Sequence, residues 1–296
     1  MRELNGIIPV VLTPLTEDKS IDVEGLIRIV EFLHTKDVGG LWVLGTGSED
    51  MHLSLCNRHL VAQTVCEANN GKLPLILGTG FFAMDEILAF MDLTKRFIFD
   101  AYHVMPYNSN LSLDRLDWFY RYIADRATKP LWMYTSGNWS KAVTPEFVYV
   151  LSYHSNIAGI KFSNTNTKDL LDVISLARED FQVITAVASQ LYTCLELGVY
   201  AHTSSLACCL PEPMTEILYD TDYALEKQRI LNDFLTDMAG NTKKDNFLQA
   251  ADEKYILHLR GICDTYMTDG YREIDDEEKL RLVRLLKEYG YGKFIG

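Results

Sequence analysis

The sequence predicts an α/β protein of the (β/α)8 TIM-barrel class with a C-terminal three-helix extension. Three observations lead there. Eight short apolar runs recur between residues 7 and 209, each unit about 25–30 residues long. Amphipathic helical patterns fill most of the gaps, which is the alternation that builds a parallel sheet. After Pro213 the strand-like runs stop and helical patterns take over.

The runs are IIPVVLTP (7–14), GLWVLG (40–45), LPLILGTG (73–80), AYHVMP (101–106), PLWMYTS (130–136), IAGIKFS (157–163), FQVITAV (181–187) and AHTSSLACC (201–209). Each is near strand length and ends in Gly, Pro, Ser, Thr or a turn. Between them, residues 22–36 place Val23, Leu26, Ile27, Val30 and Leu33 on one stripe. Residues 114–127 do the same with Leu116, Phe119, Tyr120 and Ile123. Thr144 and Pro145 read as the cap and first residue of another helix. Residues 223–239, 246–266 and 275–289 read as three amphipathic helices, the last with acids in its first turn and Gly290 as its stop. The barrel is therefore expected over residues 1–222 and the extension over 223–296. A doubly wound open sheet is the competing architecture, but no dinucleotide fingerprint follows the first run.

Of 296 residues, 48% are hydrophobic and 23% charged, enough apolar content for a large core and against disorder. The net charge of −13 argues against nucleic acid or an anionic membrane as a partner, while leaving room for a small anionic substrate held by a local positive group. No uncharged run reaches the roughly 18 residues of a membrane span. The first residues show no signal-peptide pattern, so a cytoplasmic location is expected. Six cysteines at 56, 66, 194, 208, 209 and 263 form no CxxC pair and read as reduced thiols. The vicinal Cys208 and Cys209 suit core packing better than a redox pair.

One residue in the sixth run asks for a reason. In NIAGIKFSN (156–164), Ile160 and Phe162 point to one face while Gly159, Lys161 and Ser163 point to the other. Lysine is seldom buried unless something pairs with it or uses it. If Ile160 and Phe162 face the helices, Lys161 faces the lumen, near the strand end where barrel active sites lie. Desolvation disfavours the charged form of an amine, and a neutral amine can attack a ketone to give a Schiff base. A lysine that snorkels to the rim or pairs with a buried acid fits the spacing equally well.

Several segments in order, GIIPVVLTPLTEDKSID, GLWVLGTGSED, PLWMYTS, GIKFS and GYREIDDEEKLRLVRLLKEYG, resemble the dihydrodipicolinate synthase and N-acetylneuraminate lyase family of class I aldolases. The resemblance spans essentially the whole chain, and its most specific part is Tyr134 followed 27 residues later by the lysine of GIK. It implies that Lys161 is the Schiff-base residue that captures pyruvate or another 2-oxo acid, with no cofactor needed because the imine is the electron sink. It implies that Tyr134 shuttles protons and that Thr46 links Tyr134 into a relay. The GTGSE turn (45–49) resembles the loop that binds the 2-oxo acid carboxylate, where backbone amides suit an anion. Gly47, Ser48 and Thr203 are the substrate-binding expectations. A homo-oligomer, dimer or tetramer, is implied likewise.

The sequence also departs from the family pattern. Gly47 replaces the second loop hydroxyl, and Ser48 is the residue expected to compensate. The two-tyrosine segment that completes the relay across a subunit interface reads Tyr107–Asn108. Trp139 stands where the synthases carry an arginine, and Ala186, Val187 and Ala188 replace an acidic segment. These changes point to a weakly charged aldehyde partner. Three other readings remain. A metal-dependent aldolase lacks support, because His103 and His202 form no close ligand pair and no metal site is expected. The others are an imine-dependent dehydratase of a 2-oxo-3-deoxy sugar acid and a degenerate paralogue that only binds a 2-oxo acid. The remaining histidines, at 34, 52, 59, 154 and 258, read as surface residues.

Overall fold

The structure, a computed structural model, describes residues 1–135, 140–242 and 249–295. Eight parallel strands form the barrel: β1 (Gly6–Pro9), β2 (Leu41–Val43), β3 (Leu75–Gly78), β4 (Ala101–Val104), β5 (Leu131–Tyr134), β6 (Ile157–Phe162), β7 (Gln182–Thr185) and β8 (Ala201–Ser204). They pair in the order β1-β8-β7-β6-β5-β4-β3-β2. A parallel bridge between Val10 and Trp42 brings the two ends together, so the barrel is nearly closed. Helices α1 (Val23–His34), α2 (Leu55–Asn69), α3 (Met84–Thr94), α4 (Leu113–Ala124), α5 (Pro145–Ser152), α6 (Thr167–Leu176) and α7 (Leu191–Glu196) join successive strands. After β8 come α8 (Leu206–Cys209), α9 (Glu212–Tyr219), α10 (Ala224–Thr242), α11 (Gln249–Leu259) and α12 (Asp276–Glu288).

Strand alternation sorts the core into two layers. Ile7, Val43, Leu77, Ile160 and Phe162 pack outward against the helices. Ile8, Trp42, Ile76, Trp132, Tyr134 and Ile184 fill the lumen. Trp42 stacks on His103 at 4.3 Å between ring centres and meets Trp132 edge-on at 6.2 Å. These large rings explain the glycines beside them. A Cβ on Gly159 would lie 2.9 Å from the Trp132 ring, and one on Gly78 would lie 2.6 Å from the His103 ring.

Some boundaries differ from expectation. The eighth run holds two elements, because the strand ends at Ser204 and residues 206–209 turn into α8. Vicinal Cys208 and Cys209 are thereby fully buried, and burial raises both thiols above their ordinary range. The helix expected over 246–266 is α11 (Gln249–Leu259), which ends short of expectation before Gly261 in the left-handed conformation (φ +70°); its expected start at Asn246 lies outside the described residues. The cap expected at Thr144 accepts from the backbone of α5. Asp22 does the same for α1, and Asp275 with Glu278 forms the reciprocal capping box of α12.

Candidate active site

A cavity of about 870 Å³ opens at the C-terminal ends of the strands. Lys161, Tyr134, Thr46, Gly47 and Thr203 all line it. A second cavity of about 990 Å³ lies at the opposite end, between the strand starts, and contains none of these residues. In barrels of this type the strand C-termini carry the chemistry, so the first cavity is the candidate site.

Lys161 is buried on the lumen side of β6. The pairing of β5 with β6 makes Tyr134 and Lys161 direct neighbours across the sheet, which is the structural content of their 27-residue spacing. Lys161 Nζ sits 4.0 Å from the centre of the Tyr134 ring. The phenol of Tyr134 lies 2.7 Å from Thr46 Oγ1, so a proton can pass between the two hydroxyls. The two buried acids nearest this loop pair elsewhere: Glu49 with Lys254 at 2.5 Å and Asp50 with Arg58 at 3.2 Å. Among the described residues lining the cavity, Lys161 alone carries a formal charge.

The loop after β2 holds Thr46 in place under tension. Leu44 and Glu49, at its two ends, adopt positive φ values of 56° and 63°, a region most side chains avoid. Such a backbone persists only when its surroundings fix it. Glu49 is fixed by Lys254 and by the backbone amide and hydroxyl of Thr268 at 2.8 and 2.7 Å. Lys254 in turn donates to the carbonyl of Tyr266 at 2.7 Å. The next residue, Asp50, accepts from Arg58 and from Tyr107.

Three expected site residues face elsewhere. Ser48 is buried, donates its hydroxyl to Gly45 O at 2.7 Å and lines no part of the cavity. Its hydroxyl closes the 3-10 turn from within. Tyr107 is buried and donates to Asp50 at 2.7 Å, so its hydroxyl joins the Asp50–Arg58 pair instead of Thr46. Asn108 is exposed at the rim, and its carboxamide oxygen accepts from the amide of Asn110. Trp139 lies outside the described residues. The Ala186-Val187-Ala188 segment does line the cavity.

Sequence reasoning missed the wall supplied by the extension. Asn232, Leu235, Thr236 and Met238 of α10 and Gln249 of α11 line the cavity. It also missed Ser205, just past β8, and Glu253 behind it. No sequence spacing signals these contacts. His103 and His202 are buried neutral rings rather than ligands; burial lowers both to about 3. No cluster of potential metal ligands occurs among the described residues, and no described helix is long and apolar enough to cross a membrane.

The protein is a (β/α)8 barrel with a lumen lysine beside a tyrosine at the strand C-termini. The chain belongs to the dihydrodipicolinate synthetase family, whose profile matches residues 3–289. It is 30% identical over 218 residues to an uncharacterized DapA-like lyase of Pyrococcus furiosus, covering 72% of this chain and 73% of the relative. It is 29% identical over 293 residues to the 4-hydroxy-tetrahydrodipicolinate synthase of Methanosphaerula palustris, covering 96% and 99%. The dihydrodipicolinate synthase structure from Bacteroides thetaiotaomicron superposes with a TM-score of 0.90 at 24% identity, covering 97% of this chain and 100% of that one.

Proposed function

We propose that the protein is a class I lyase that forms a Schiff base between Lys161 and pyruvate or a related 2-oxo acid. The observation that carries this reading is the Lys161–Tyr134–Thr46 cluster in the cavity at the strand C-termini. The amine adds to the keto carbon and water leaves, giving an iminium. In the cleavage direction, Tyr134 takes the proton of the substrate hydroxyl two carbons from the iminium carbon as it hands its own proton to Thr46. The intervening C–C bond then breaks, its electron pair moves onto the iminium nitrogen as an enamine, and an aldehyde departs. Protonation of the enamine carbon and addition of water release the 2-oxo acid and the free lysine. Thr46 keeps the phenol aimed and passes its proton onward. Lysine supplies the electron sink, so the scheme needs no cofactor.

The carboxylate of the 2-oxo acid suits the loop of residues 45–48, and the lining offers no second charge for the aldehyde. The aldehyde is therefore weakly charged. The same reading makes the protein a cytoplasmic homo-oligomer, dimer or tetramer, to which the exposed Phe82 beside Tyr107 lends support. Light scattering reports the assembly directly.

The decisive experiment is reductive trapping. Incubation with pyruvate and borohydride, followed by peptide mass spectrometry, is expected to place the adduct on Lys161. An adduct at another residue, or none with any 2-oxo acid, overturns the reading.

A further inference from the structure

Of residues 45–48 only Thr46 turns a hydroxyl to the cavity, because Gly47 has none and Ser48 donates to Gly45 O, and the space a Gly47 side chain would occupy is already taken. A Cβ on Gly47 would lie 2.9 Å from Ser205 Cβ and 3.3 Å from Ser205 Oγ. Ser205 therefore presents a hydroxyl from the turn just past β8 at the place where the loop has none, and it lines the main cavity. Beneath it is a small annex of about 50 Å³ bounded by Thr46, Gly47, Ser205, Gln249 and Glu253.

Glu253, on α11, is fully buried behind Ser205. Its Oε1 accepts from Ser205 Oγ at 2.9 Å and from Gln249 Nε2 at 2.8 Å. Gln249 Nε2 also lies 3.3 Å from Ser205 Oγ, which ties the three side chains together. Glu253 Oε2 has no hydrogen-bond partner among the described residues. A buried acid held on one oxygen by a cavity-lining serine, with the other oxygen unmatched, is costly as structure alone.

We propose that Ser205 supplies the hydroxyl missing from the loop and donates it to the carboxylate of the 2-oxo acid, with Glu253 and Gln249 as its positioning residues. This rests on the Schiff-base reading of Lys161. Burial, which outweighs the hydrogen bonds from Gln249 and Ser205, pushes the Glu253 carboxyl up to about 8, and the charge of Asp252 on the same helix adds to the rise. The other titratable groups around it are Cys208 and Cys209 of α8, Glu49 of the loop and Tyr271. Below that pH the carboxyl is an acid. Its own O–H donates to Ser205 Oγ, and the serine proton turns toward the substrate. Above it, the carboxylate takes back the serine hydrogen bond and sets a negative charge beside the substrate's own.

The test measures the pyruvate concentration that half-saturates trapping of the Lys161 adduct by cyanoborohydride, on either side of the Glu253 transition. At neutral pH, S205A is expected to raise that concentration roughly tenfold, the order of one hydrogen bond to a charged group, with the saturated adduct retained. In the double variant G47S/S205G the hydroxyl returns from the loop, and half-saturation recovers toward wild type. Wild type loses affinity as pH rises through about 8, and E253Q, which stays neutral, does not. An S205A value within about twofold of wild type, well under one hydrogen bond, or an E253Q profile parallel to wild type overturns the proposal while Lys161 labelling still stands. Absence of any wild-type adduct instead brings down the Schiff-base reading and this proposal with it. Should E253Q lose its folded circular dichroism, S205A and its rescue decide alone.

Discussion

Tyr134 is held from every side. Its ring packs edge-on against Trp42 and His103, at 5.7 and 5.3 Å between centres, while Lys161 covers one face and Thr46 holds the hydroxyl. Removing the hydroxyl alone should therefore leave the ring in place and delete proton transfer. Tyr134→Phe is expected to lower kcat by about 10²–10⁴-fold, the span of general acid–base catalysis, while the Lys161 adduct still forms slowly. Wild-type turnover in steady-state assays of that variant would reassign the phenol to packing. Lys161 and Tyr134 were legible because strand alternation and neighbouring-strand register translate directly into spacing. Ser205 and Glu253 were not, since their contact joins residues 48 apart across two elements. Ser48 misled for a local reason: a hydroxyl at the end of a tight turn finds a carbonyl of that turn before it finds a ligand.

At the scale of elements, the site is a contract between the loop after β2 and the helices after β8. Lys254 of α11 is completely buried, burial lowers its pKa from the ordinary lysine value, and Glu49 is its ion-pair partner. Lys254→Met would leave the buried Glu49 carboxyl with its Thr268 hydrogen bonds but without its ion-pair partner, an effect of roughly 3–5 kcal/mol. Urea denaturation should show this as a lower midpoint with an unchanged slope. The α10 wall makes a different prediction. Leu235 and Met238, with Ala186, Val187 and Ala188 beside them in the lining, offer a carboxylate no partner. An unpaired polar group buried there costs about 1–3 kcal/mol, so aspartate semialdehyde should fall roughly 5- to 150-fold in kcat/KM below an uncharged aldehyde of similar size. A panel of aldehydes at saturating pyruvate checks it, and a preference for aspartate semialdehyde would refute the weakly charged partner. Helix ends were readable from sequence because caps are local, as at Asp275. The membership of α10 and α11 in the site was not, because amphipathic patterning says which face is buried and not against what.

For the molecule as a whole, the buried rings of His103 and His202 link stability to pH. Their folded values are about 3, against about 6.5 in an unfolded chain. Above about pH 6.5 neither state binds the extra protons. Below it only the unfolded chain does, so stability falls on acidification by about 1.4 kcal/mol per pH unit for each ring until about pH 3. Glu253 works the other way between about 8 and its unfolded value of 4.5, because its folded form holds the proton more tightly. Comparing His202→Asn with wild type isolates one ring. The urea midpoint of the variant should depend less steeply on pH over that window, and parallel profiles would show that the ring is charged when folded. The barrel itself was legible as a rhythm of eight apolar runs. That rhythm also favoured a closed barrel over an open sheet, but it did not show that the β1–β2 seam rests on a bridge from Val10, beyond the end of the regular strand.

The clamp on the loop after β2 has a consequence for how the protein is made. Thr46 and Glu49 are synthesised well before Lys254 and Thr268, which fix that loop; Glu49 and Thr268 are 219 residues apart. A nascent chain can therefore form strands and even pair them while its left-handed loop ends have nothing to hold them. Catalytic competence should appear only after the end of α11 and Thr268 have cleared the exit tunnel. A stalled chain that stops short of Lys254 should bind other chains through the faces of α8 and α10 that α11 covers before it ever binds substrate.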